Sequence, residues 1–229
     1  MTDLAFTLAA KGGAKTPLTL SVTQAVIAGW TGRDPVARDK HIAELAAIGI
    51  APPASTPIYY RCAARRLTTA DRIECTGNDS SGEVEFVLFA KNGRLFVGVG
   101  SDHTDRKVET YNITVSKQMC DKPVAPVLWD LADVEDHWDR LMLRSWATID
   151  GERVLYQEGA LSGMLPVADL IRRGFDGADL PDGCVMFCGT FAAKGGIRPA
   201  SRFEYEISDP VLNRSIRHAY DIVTLPVLG

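Results

Sequence analysis

Residues Ser81 to Arg106 read SGEVEFVLFAKNGRLFVGVGSDHTDR, and this stretch sets charge where the surrounding pattern calls for core. In an extended strand alternate side chains fall on opposite faces. Val84, Phe86 and Leu88 therefore share one face, and Glu83, Glu85, Val87 and Phe89 share the other. Asn92-Gly93 is the pair preferred in a two-residue hairpin turn, because both positions need positive φ. Arg94 to Gly100 is then expected to return as the partner strand. With Lys91 facing Arg94, counting back along the ladder sets Asp102 opposite Glu83, so three acids converge on one face.

Like charges opposed across a strand pair repel, and burying unpaired carboxylates costs several kcal/mol each. A divalent cation between Glu83, Glu85 and Asp102 would relieve both penalties. Hard oxygen donors without sulfur or an obligatory histidine point to Mg²⁺, Mn²⁺ or Ca²⁺ rather than zinc. The alternative is a solvated sheet face, against which Val87 and Phe89 on the same side argue.

The chain has 229 residues, 46% apolar and 24% charged, with a formal charge of −4 and a pI near 5.6. That is enough chain for one large domain with a real core. The charge balance argues against a nucleic-acid or anionic-membrane partner. No apolar run approaches a membrane span of about 20 residues, and the start carries no visible secretory leader, so the expected location is the cytoplasm. Five cysteines, Cys62, Cys75, Cys120, Cys184 and Cys188, form no C-x-x-C pair and read as reduced core thiols.

Along the chain, residues 3 to 22 read as two short strands around Gly12-Gly13, and Val22 to Trp30 as a buried strand or short helix. Asp34 caps a helix that begins at Pro35. His41 and Glu44, three apart on it, share a side, either as an unremarkable surface pair or as an oriented imidazole able to serve as a base. APPASTP, residues 51 to 57, reads as a linker. Lys117 falls in a strand-like stretch, YNITVSKQM. Another hairpin turns at Asp150-Gly151, a helix covers Leu165 to Arg173, and strands cover Gly183 to Phe187, Arg202 to Ile207 and His218 to Leu225. The expectation is one continuous, mainly β, α+β domain. Residues 1–55 form a smaller N-terminal subregion with the His-Glu helix, and residues 56–229 the larger β-rich part.

These signals fall in an order that resembles the fumarylacetoacetate hydrolase superfamily, in particular a bacterial branch described as a domain of unknown function. The carriers are His41-Ile42-Ala43-Glu44 before a proline-rich stretch, Glu83-Val84-Glu85, then Asp102, Thr104 and Arg106 as D-x-T-x-R. Lys117 ahead of a proline-marked turn follows, and Gln157, Met164, Gly189 and Thr190 complete the order. The usual helical insert between the E-x-E strand and the aspartate is missing here, and Asp150 stands where the turn asparagine is usual.

The resemblance implies a mixed β-sandwich roll with short helices, assembled as a homodimer. It implies Mg²⁺ or Mn²⁺ on Glu83, Glu85 and Asp102, with Ca²⁺ as a stand-in in crystals. It also implies a small keto-acid or dicarbonyl substrate, whose carbon-carbon bond is cleaved by hydrolysis. Lys117 would stabilise the developing oxyanion, while His41 and Glu44 activate water, and the proline-rich segment after Glu44 is expected to act as a mobile lid that brings the pair over the metal when ligand binds. Arg106, Gln157, Gly189 and Thr190 would hold the substrate. Decarboxylation, hydration or isomerisation on the same metal, or ligand binding without turnover, are the alternatives.

Overall fold

The computed structural model describes residues 1–47 and 52–228, with the side chains at 41 and 44–47 outside the described set. The hairpin forms in the expected register. Strands Val84–Lys91 and Arg94–Ser101 pair antiparallel, with Lys91 opposite Arg94 and Val84 opposite Ser101. Asn92 and Gly93 turn between them at φ of 52° and 69°.

This hairpin lies in the middle of an eight-stranded mixed sheet whose order runs Lys15–Val22, Thr2–Ala9, Val127–Asp130, Arg94–Ser101, Val84–Lys91, Cys184–Phe187, Gln24–Gly29 and Ile58–Cys62. Val22 to Trp30 thus resolves as a buried strand, parallel to Cys184–Phe187. A second, five-stranded sheet orders Glu152–Ala160, Met142–Ile149, Arg202–Asp209, Arg214–Leu225 and Arg72–Thr76. Both sheets curl, and the few helices are short, which makes the chain mainly β.

Period-two alternation distributes the hairpin between two cores. Val84, Phe86, Leu88, Val97 and Val99 pack toward Leu143, Phe203, Tyr205 and Tyr220 of the second sheet. Val87, Phe89 and Phe96 face the other way, among Leu4, Phe6, Leu20, Tyr60, Leu128 and Phe187. The residues of that second cluster come from strands across the whole large sheet, so its inner face is closed by curling. Glu85 points to this inner side at the start of its strand, and there the apolar lining gives way to charge.

The helix Pro35–Ala47 begins where Asp34 caps it, its Oδ1 accepting from the amides of Val36 at 2.8 Å and Ala37 at 3.3 Å. Residues 52–57 carry no regular structure. Lys117 departs from its expected strand. It sits in the helix Ile113–Met119, whose N-cap Asn112 accepts from the Val115 amide at 3.0 Å. The β-branched run Ile113-Thr114-Val115 imitates a strand, but Asn112 supplies the partner that the first free helical amides need. All five cysteines are free and buried. Among the described residues no helix is long and apolar enough to cross a membrane.

Candidate metal centre

Glu83, Glu85 and Asp102 bring one carboxylate oxygen each to within 4.8 Å of one another. Each arrives by a different route. Glu85 rides on the strand Val84–Lys91 and Glu83 just precedes it, while Asp102 leaves the paired strand with its amide bonded to the Glu83 carbonyl at 3.0 Å. Two short helices then fold back over the acids. Arg106–Glu109 is capped by Asp105, which accepts from the Val108 amide at 2.8 Å, and Ile113–Met119 carries Lys117.

Cations are shared unevenly among the acids. Lys117 Nζ lies 2.5 Å from Asp102 Oδ2 and 3.3 Å from Glu83 Oε2. Arg106 reaches Glu83 Oε1 at 3.2 Å, donates to Glu109 at 2.8 Å and to Ser81 Oγ at 2.7 Å. Lys122 meets the other oxygen of Asp102, its Nζ 3.2 Å from Oδ1 and 2.5 Å from the His103 carbonyl. Glu85 makes no ion pair among the described residues. Its Oε2 accepts only the Gly189 amide, at 2.6 Å.

The protonation preferences follow from that inequality. Burial disfavours the charged forms of Glu83 and Asp102, yet Arg106 and Lys117 for the first, and Lys117 and Lys122 for the second, outweigh it and hold both below the usual carboxylate range. Burial, followed by the neighbouring Asp102 and Glu83, pushes Glu85 well above that range. For Lys117 burial opposes the charge, but Asp102 and Glu83 overcome it and raise its pKa.

This arrangement fits a hard divalent ion. The donors are all carboxylate oxygens at a mutual spacing one ion can span. Asp102 Oδ1 is buried and, despite its nearness to Lys122, accepts no hydrogen bond. Glu85 is a buried acid with no ion pair among the described residues, held by the Gly189 amide. An ion among the three would satisfy both.

The expected substrate residues occupy defined places. Gln157 is buried, with its amide oxygen accepting from the Val84 amide at 2.9 Å and Ser145 Oγ at 3.0 Å. Its nitrogen donates to Thr190 Oγ1 at 2.7 Å and to the Phe191 carbonyl at 2.6 Å. That fills its hydrogen-bonding capacity. Thr190 donates to the Val84 carbonyl at 2.7 Å. Gly189 has φ of 104°, and a Cβ there would lie 1.8 Å from Thr31 Oγ1, so glycine alone lets its amide meet Glu85. Gln157, Gly189 and Thr190 thus brace the strand of Glu85, whereas Arg106 and Lys117 contact the acids directly.

The side chains of His41 and Glu44 lie outside the described residues; only their helix backbone is placed. Lys122 and Glu109 are site residues that the sequence reading does not find. Lys122 stands beside Pro123 in a turn-like stretch, and nothing local says that its chain returns to Asp102. Glu109 sits three residues after Arg106 on one helix face, a spacing that does signal their pairing.

No curated protein matches the chain. Among solved structures, it is similar to yeast ynq8, a fumarylacetoacetate hydrolase family protein, at a TM-score of 0.64 and 16% identity, covering 91% of this chain and 96% of that one. It is similar to 2-keto-3-deoxy-D-arabinonate dehydratase complexed with magnesium and 2,5-dioxopentanoate, at a TM-score of 0.65 and 13% identity over 90% of this chain and 75% of that one. A third likeness is 4-oxalocrotonate decarboxylase from Pseudomonas putida G7, complexed with calcium and acetate, at a TM-score of 0.54 and 16% identity over 89% and 79%. These likenesses carry the fold. The family described as protein of unknown function (DUF2848) matches residues 28–220. With most of its length matched in this way, the chain belongs to the DUF2848 family, and its fold is that of the fumarylacetoacetate hydrolase family.

Proposed function

We propose that the chain is an enzyme dependent on Mg²⁺ or Mn²⁺ that cleaves a carbon-carbon bond in a small 2-oxo or 1,3-dicarbonyl acid by hydrolysis. The observation that carries this reading is the convergence of Glu83, Glu85 and Asp102 within 4.8 Å beside the buried Lys117. Four carboxylates, counting Glu109, face three fixed cations, Arg106, Lys117 and Lys122. A divalent ion turns that small negative excess into a positive one, which suits an anionic substrate.

Glu83, Glu85 and Asp102 would hold the ion, which when bound supplies Lewis-acid stabilisation of the charge developing on a substrate oxygen. Lys117 is 10% exposed at its side chain, enough to meet that oxygen from the protein side. A fixed ammonium in a dry site is worth far more there than in water. Arg106, held by Glu83 and Glu109, would present its remaining face to the substrate carboxylate. Gly189 and Thr190 would border the same end, with Gln157 fixing Thr190. His41 and Glu44 are assigned to the water. In the balanced step, hydroxide adds to the acyl carbon, the carbon-carbon bond breaks, and the departing carbanion equivalent takes up a proton.

A second reading keeps the site and changes the bond. The fold neighbours include a dehydratase and a decarboxylase, and neither reaction needs water added at an acyl carbon. Acylpyruvates, oxaloacetate and sugar-derived 2-keto acids incubated with Mg²⁺ or Mn²⁺, with loss of enol absorbance followed and products identified, test both. Two carboxylate fragments per acylpyruvate are expected. Carbon dioxide or a dehydrated product would move the assignment to the second reading, and tight binding without turnover of any of them would make the chain a binding protein.

A further inference from the structure

Two lysines hold one aspartate, and only one of them can reach a substrate. Lys117 is partly open to the site, whereas the Lys122 side chain is 0% exposed. We propose that Lys122 is a positioning residue that presets Asp102 for the metal from behind. The inference rests on the metal reading of the acid cluster given above.

Lys122 belongs to a two-residue strand, Lys122–Pro123, which pairs parallel with Leu67–Thr68 and so fixes where its side chain starts. Arg66, next to that partner strand, reaches Asp121 at 3.3 Å and pins the turn between the two lysines. From this base the ammonium makes two contacts that bear on one residue. It donates to the His103 carbonyl at 2.5 Å, which fixes the backbone immediately after Asp102, and it lies 3.2 Å from Asp102 Oδ1. Lys122 is the sole cation beside Oδ1 among the described residues, and one ammonium contact engages at most one of that oxygen's two lone pairs. The other remains for a metal.

An ammonium buried this completely needs a compensating anion, and Asp102 is the carboxylate paired with it among the described residues. Lys122 therefore depends on Asp102, whereas Asp102 also has Lys117. The position carries a trade-off, because a positive charge beside a metal ligand also repels the metal. If alignment dominates, removing Lys122 weakens metal binding. If repulsion dominates, removal tightens it. Groups that orient a metal ligand from outside the coordination shell change affinity by about 10- to 100-fold when altered, and the double contact here favours alignment.

The test is Mn²⁺ binding to the purified protein and to Lys122→Met, read from the electron paramagnetic resonance of free and bound Mn²⁺. The expected result is a Kd raised by about 10- to 100-fold, together with an altered bound-ion spectrum, in a variant that still folds. An unchanged or lowered Kd overturns the proposal while leaving the metal site standing. Failure of the unaltered protein to bind Mn²⁺ overturns the metal reading and this inference with it. If Lys122→Met does not fold, Lys122→Gln keeps a donor for the His103 carbonyl without the charge, and the same Kd shift is expected. On the unaltered protein, the slowly exchanging ammonium resonance of Lys122 should shift when Mg²⁺ is added. A resonance indifferent to Mg²⁺ overturns the proposal.

Discussion

Asp102 and Lys117 meet at 2.5 Å, yet they should fail in different ways. Asp102→Ala removes a proposed metal donor, leaves Lys117 with Glu83 as its remaining partner, and leaves Lys122 without the carboxylate it pairs with. Metal binding and turnover should both vanish, and the unfolding free energy should fall by about 3–5 kcal/mol, the usual penalty for breaking a buried pair. Calorimetric metal titration and denaturant unfolding of the variant measure the two losses. Lys117→Ala should keep the metal and lose mainly kcat, by about 10²- to 10³-fold, because its charge matters most once the oxyanion develops. Steady-state kinetics at saturating metal separate the cases, and an unchanged kcat would remove Lys117 from the chemistry. The acids themselves are legible in the amino-acid order, since E-x-E beside Val87 and Phe89 sets charge against an apolar neighbour. Lys122 is not, because its role depends on a parallel pairing with Leu67–Thr68 that no local pattern announces.

At the level of elements, the hairpin is legible because two independent signals agree: alternation of period two, and an Asn-Gly turn that fixes the register through to Glu83 and Asp102. The helix of Lys117 reads as a strand because its β-branched residues outweigh the Asn112 cap in any local pattern. The support behind Glu85 is legible only as order along the chain. Its physical reason appears in the loop after Cys184–Phe187, where Gly189 turns at φ of 104° and donates to Glu85. Gly189→Ala should force Thr31 aside and strain the backbone by about 1–3 kcal/mol. The unfolding midpoint should drop and metal affinity with it. An unaltered midpoint would mean that the loop relaxes freely and does not brace the site.

Across the whole molecule, a ligand bound only by the folded state raises stability by mass action, by about 2.7 kcal/mol at one hundred times its Kd. Thermal unfolding in EDTA and in millimolar Mg²⁺ or Mn²⁺ should give separated midpoints, and coincident curves would count against the metal centre. The second sheet makes its own pH prediction. Burial lowers the pKa of His218 from its ordinary value of 6.5, while its Nε2 lies 3.2 Å from the Ala70 carbonyl. The unfolded chain therefore binds this proton more readily than the folded one, so His218 supports stability above pH about 6.5 and its contribution is lost as pH falls through the depressed folded value. His218→Gln should flatten that part of the stability profile in denaturant melts between pH about 5 and 8. An unchanged slope would exclude His218 as its source.

The four-residue strand Cys184–Phe187 joins the acid-bearing hairpin to the strand Gln24–Gly29, and without it the large sheet would be two separate pieces. The anchor of Glu85 follows directly behind it, 104 residues downstream of the acid it steadies. During synthesis the hairpin can therefore zip up early, but its cradle stays open until this late strand emerges and slots in. A ribosome-tethered chain halted before residue 184 should leave Glu83, Glu85 and Asp102 unable to retain an ion, and one extended far enough for residues 184–190 to clear the exit tunnel should retain it.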